Sequence, residues 1–96
     1  MPFTMAVFEV DDYAKWKAEF DAEDGVNLRN RGQMKSYHLF QVEGNPNKLA
    51  MLSEWDDLDT AREFIQSEEF QKVHEQSGAF GEPVVYFVEE IEKRSV

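Results

Sequence analysis

Apolar residues along this chain recur at two periods, every second residue or every third and fourth, and the points of change mark its elements. From Phe3 to Val10 both alternations are apolar, Phe3, Met5 and Val7 on one side and Ala6, Phe8 and Val10 on the other, so this strand is expected to be buried on both faces. Asp11 and Asp12 then supply caps, and Tyr13, Trp16 and Phe20 form a helical stripe. The pattern predicts one helix over Asp12 to Arg31, kinked at Gly25, continued by Leu28 and closed by Gly32. Met34 to Val42 alternates as a second strand. Glu43-Gly44-Asn45-Pro46-Asn47 is dense in turn formers and joins it as a hairpin to a third, apolar strand from Lys48 to Trp55.

Asp56 and Asp57 cap the next helix, where Leu58, Ala61, Phe64 and Ile65 share a stripe. Phe70 comes five residues after Ile65 and leaves that stripe, so the helix is expected to break at Ser67. Ser67 suits a second N-cap, Glu68 and Glu69 favour the positive end of a new helix, and Phe70, Val73, His74 and Ser77 restart the stripe on a shifted face. Gly78, Gly81 and Pro83 read as a loop, and Val84 to Ile91 as the fourth strand.

The order is β-α-β-β-α-β, an α+β ferredoxin-like arrangement with two helices on one face of a four-stranded antiparallel sheet. Strands one, three and four are apolar on both alternations, yet the helices cover only one side. The cheapest cover for the other side is a second copy of the same chain, so a homodimer is expected, sheet against sheet.

Composition narrows the partners. The chain has 96 residues, of which 42% are hydrophobic and 14% aromatic, enough for one domain spanning 1–96 with one packed core. It lacks cysteine, which rules out disulfides, thiolate metal sites and cysteine nucleophiles. The formal net charge of −10 is spread along the chain, so nucleic acid and anionic membranes are disfavoured as partners. The amino terminus has no basic region or cleavage site, and no apolar run approaches the ~20 residues of a membrane span, so a cytoplasmic location is the default expectation.

His38 is the first candidate for chemistry. If the hairpin pairs Val42 with Lys48, His38 lies opposite Leu52 and diagonal to Glu54, on the same face as Ser36. That group would point into a dimer barrel, while Tyr37, Leu39, Leu49, Met51 and Trp55 would floor the helices. A register slip of one residue would move Glu54 to the other face. An imidazole beside a carboxylate in an apolar cavity suits general-base work, whereas the structural alternative is a histidine that only hydrogen-bonds Ser36 or Glu54 at the barrel wall. No spacing of histidines and carboxylates forms a recognisable metal-ligand set.

The chain resembles a known family at several points. A tryptophan ends strand three before an acidic helix start (Ser53-Glu54-Trp55-Asp56-Asp57), and a Ser-x-x-Phe-x-x-x-His break runs through Ser67, Phe70 and His74. With the element order, these features resemble the dimeric α+β barrel superfamily, and within it the antibiotic-biosynthesis-monooxygenase group. The resemblance implies a homodimer that binds a small apolar or aromatic molecule and oxidises it without a cofactor. On that reading His38, Glu54 and His74 are the candidate catalytic residues, and Ser36, Phe40, Leu52 and Tyr86 the candidate substrate contacts. The alternatives are a non-catalytic ligand-binding or assembly module, or haem binding and degradation. The haem-degrading branch uses an asparagine on strand one, a tryptophan in the second helix and a histidine after the break. Here only His74 matches; Phe64 stands near the tryptophan position and strand one offers Ala6, Val7 and Phe8. The topology also occurs in RNA-recognition domains and acylphosphatases, but this chain has neither basic aromatic strands nor a basic glycine-rich loop after strand one.

Overall fold

The computed structural model describes residues 1–96. Its elements are β1 (Pro2–Val10), α1 (Tyr13–Asp21), α2 (Glu23–Arg31), β2 (Ser36–Val42), β3 (Asn45–Glu54), α3 (Leu58–Gln66), α4 (Glu68–Gln76) and β4 (Ala79–Glu89). The strands form one antiparallel sheet in the order β2-β3-β1-β4, a ferredoxin-like fold in which each helical crossover is broken into two.

The second crossover breaks at Ser67, as the shifted stripe predicts. The Ser67 backbone is extended, and its hydroxyl accepts the Phe70 N–H at 3.1 Å, which starts α4. The first crossover differs from expectation. It breaks at Ala22, whose ψ of 159° ends α1, and not at Gly25. Glu23 and Asp24 open α2, as Glu68 and Glu69 open α4, so an acidic pair after the break is the signal common to both halves. Gly25 serves close approach instead: a Cβ there would lie 2.7 Å from the Phe20 carbonyl oxygen, so only glycine lets α2 fold back on the end of α1.

Two strands run further than their patterns suggest. β3 begins at Asn45, so only Glu43 and Gly44 form the turn, and Pro46 lies in a bulge where the register steps from Gln41↔Leu49 to Val42↔Asn45. β4 begins at Ala79 and absorbs Gly81 and Pro83 in another bulge, opposite the step from Val7↔Val84 to Glu9↔Phe80. It ends at Glu89, leaving Ile91 outside the sheet and exposed.

The expected single core is two clusters. Phe8, Val10, Trp16 and Leu49 form one; Leu28, Trp55, Ala61 and Phe64 form the other. Trp55 is fully buried and its indole N–H donates to the Thr4 hydroxyl at 3.0 Å, tying β3 to β1 beneath the helices. Between the clusters the helices and sheet leave a space unfilled.

Candidate functional site

That space is a cavity of about 110 Å³ between the sheet and the helices. Its floor comes from the helix-facing residues of the strands, including Ala6, Phe8, Met51 and Ser53, and its walls from Trp16, Phe20, Leu28, Phe64, Phe70 and His74.

His74 reaches the cavity because the break at Ser67 turns α4. Phe70 and His74 then lie one turn apart on its inner face, with ring centroids 5.6 Å apart and planes at 23°. The Phe8 ring meets the imidazole edge-on at 5.5 Å. Nε2 of His74 is buried and has no hydrogen-bond partner in the protein. Burial pushes the imidazole pKa below its ordinary value, against a smaller opposing pull from Glu75, so the ring is neutral at neutral pH. A neutral ring nitrogen buried without a partner can accept or donate a proton at one defined atom.

The strand register places His38 opposite Leu52 and Ser36 opposite Glu54. These residues lie on the face away from the helices, with Phe40. His38 is exposed and stacks on Phe40 at 6.2 Å, while Glu54 accepts from the Ser36 hydroxyl at 3.4 Å. Tyr86 shares that face but sits on β4, opposite Met5 and about 14 Å from β2 across the intervening strands. Ser36, His38, Phe40, Leu52 and Glu54 are therefore neighbours, Tyr86 stands apart, and His74 lies on the other side of the sheet. His38 and His74 do not meet in one site. The same open face exposes apolar side chains: Met5 is 48% exposed, Phe40 53%, Val84 49% and Tyr86 60%.

At the cavity, Ala6 and Phe8 of β1 face inward and Val7 faces away, so the position that carries asparagine in the haem-degrading branch offers no polar atom here. Sequence reasoning missed Arg29, Glu19, Thr4 and Ser53, which all line the cavity. Ser53 had a legible signal, since it interrupts the otherwise apolar run Leu49, Met51, Trp55 on the helix side of β3. No three His, Asp or Glu side chains come together as a metal-ligand set, and no helix is long and apolar enough to cross a membrane.

The family model for antibiotic biosynthesis monooxygenase matches residues 32–76, the stretch from the end of α2 through α4 that contains His38, Glu54 and His74. Solved structures agree over nearly the whole chain. In fold, the chain is similar to the antibiotic biosynthesis monooxygenases. A crystal structure of an antibiotic biosynthesis monooxygenase superposes with a TM-score of 0.71 at 16% identity, over 96% of this chain and 100% of that one. SnoaB, a cofactor-independent oxygenase from Streptomyces nogalater, gives 0.67 at 14% identity, over 93% of each chain. A conserved protein from Methanosarcina mazei Go1 gives 0.60 at 19% identity, over 91% of this chain and 89% of its own. No curated protein matches the sequence. At these identities the likeness to solved structures is one of fold, and the monooxygenase-like fold hosts its chemistry in side chains that must be argued individually.

Proposed function

We propose that this chain binds a small, mainly apolar or aromatic molecule in the cavity between sheet and helices and oxidises it as a monooxygenase that carries no cofactor of its own. The observation that carries this reading is the His74 Nε2 atom, buried without a partner at the wall of an apolar cavity that the fold leaves unfilled. A ligand hydroxyl or acidic C–H satisfies that atom. The family match and the likeness to SnoaB support oxygenation as the reaction class.

In the proposed reaction the neutral His74 imidazole removes a proton from a phenol or from an activated CH₂ beside an enol. The resulting anion gives one electron to dioxygen, and the radical and superoxide combine into a C–O bond. The imidazolium returns its proton to the peroxide, and loss of water leaves a carbonyl. The CH₂ group supplies all four electrons, so substrate and O₂ give ketone and water with no other reductant. Phe8, Phe70 and Phe64 exclude solvent and hold the ring system in place.

A second copy covers the open sheet face in this reading, burying Met5, Phe40, Val84 and Tyr86. Ser36, His38, Leu52 and Glu54 then serve the subunit contact, and His74 serves the chemistry. A non-catalytic carrier is the competing reading, favoured because Ser77 donates to the His74 backbone carbonyl at 2.7 Å and not to the ring, which leaves the imidazole held by packing alone. Oxygen-electrode traces with anthrones, quinols and polyphenols, for the parent chain and His74→Ala, separate the two. Oxygen uptake that disappears in His74→Ala is the expected result. Binding without uptake across the panel decides for the carrier.

A further inference from the structure

Arg29 is the only lysine or arginine lining the cavity. Its guanidinium is held rigidly: Nη2 donates to the Phe20 carbonyl oxygen at 2.9 Å, and the group lies 3.8 Å over the Phe20 ring and 5.4 Å from that of Tyr37. The ion pairs of the chain join Lys17 to Asp21, Arg31 to Glu69, Lys35 to Asp56 and Arg62 to Asp59; Arg29 takes part in none of them, although Glu19 lines the same cavity. Burial pushes its pKa below the ordinary arginine value, with Tyr37 and Asp21 pulling weakly the other way, as expected of a cation short of counter-charge.

A half-buried guanidinium, fixed by one carbonyl and two rings and lining an apolar cavity without an ion-pair partner, is a preformed receptor. We infer that the molecule bound in the cavity carries a carboxylate, that the free N–H groups of Arg29 receive it, and that its aromatic body lies against Trp16 and Phe64. Arginine suits this role because its planar fork matches both oxygens of a carboxylate. The formal net charge of −10 opposes an approaching anion, so recognition depends on this contact and not on long-range attraction. The inference rests on the cavity being the ligand site, and it adds the class of ligand: an aromatic acid and not a neutral arene.

Calorimetric titration of the full chain with 2-naphthoate and with its neutral isostere 2-naphthamide tests this. The acid is expected to bind at least about tenfold more tightly, the range of a charge-assisted hydrogen bond. Arg29→Gln removes the charge and is expected to abolish the preference, weakening the acid far more than 2-naphthamide. Arg29→Lys keeps the charge without the fork and is expected to lose part of the preference, which gives a second route if the Gln variant does not fold. A role confined to bracing the corner between α1 and α2 would shift both affinities together. Equal affinities in the parent chain, or an unchanged ratio in either variant, overturn the inference and leave the cavity reading standing. Binding of neither probe overturns both.

Discussion

Replacing His74 with phenylalanine should make the chain more stable while removing its proposed activity. The imidazole has Nε2 buried without a partner, and an unsatisfied buried polar atom costs about 1–3 kcal/mol. Phenylalanine keeps a flat ring between Phe8 and Phe70, whose centroids lie 5.5 and 5.6 Å away, and its extra volume has the adjoining cavity to enter. Overpacking therefore takes back only part of the gain, and a net stabilisation of about 1–2 kcal/mol is expected at pH 8. The difference should widen on acidification. The folded imidazole has a lowered pKa, so the unfolded chain takes up its proton first. Stability is thus complete above the ordinary histidine value of 6.5 and is lost as pH falls through the folded value, a loss that His74→Phe does not suffer. Urea denaturation at pH 8 and pH 5.5 measures both effects, and thermal melts should show a rise of about 4–8 °C per kcal/mol. A variant less stable than the parent by 1 kcal/mol or more, judged against the ~1 kcal/mol scale of an ordinary hydrogen bond, would mean that Nε2 has a partner. The proposed ligand contact would then lose its basis.

Three further outcomes are expected. Thr4→Val strips the fully buried Trp55 indole N–H of its acceptor and should cost about 1–3 kcal/mol in urea denaturation, whereas Thr4→Ser should cost less; equal losses would mean that packing and not the hydrogen bond holds the pair. Ser67→Ala removes the cap on the Phe70 N–H and should lower stability by about 1 kcal/mol, with Ser67→Asp restoring most of it; an unaffected Ala variant would show that α4 starts without the hydroxyl. Met5→Lys combined with Tyr86→Lys places two charges at paired positions on the open face and should weaken self-association in sedimentation equilibrium, while monomer stability moves by no more than about 0.5 kcal/mol. A chain that sediments as a monomer before substitution ends the dimer proposal.

The break at Ser67 was readable because two local signals agreed there: an apolar residue out of phase and a capping side chain beside an acidic pair. The break at Ala22 carried only the acidic pair, and Gly25 drew attention as a kink when its use is to admit the Phe20 carbonyl at close range. Pro46 and Pro83 read as loop because proline cannot donate to a ladder, but each lies in a bulge where no donor is required.

Alternation put Ser36 with His38 on one face of β2 and Leu52 with Glu54 on one face of β3, since side chains of a strand can face only two ways, and the hairpin register in the structure joined the two pairs. Sequence therefore determined the element order and which strand residues share a face. Only the tertiary structure decided that His74 lies on the other side of the sheet, that two clusters leave a cavity, and that Arg29 lines it. Such facts depend on how α1 through α4 cross the sheet, and crossing is set by packing among residues far apart in the chain, which no local period encodes.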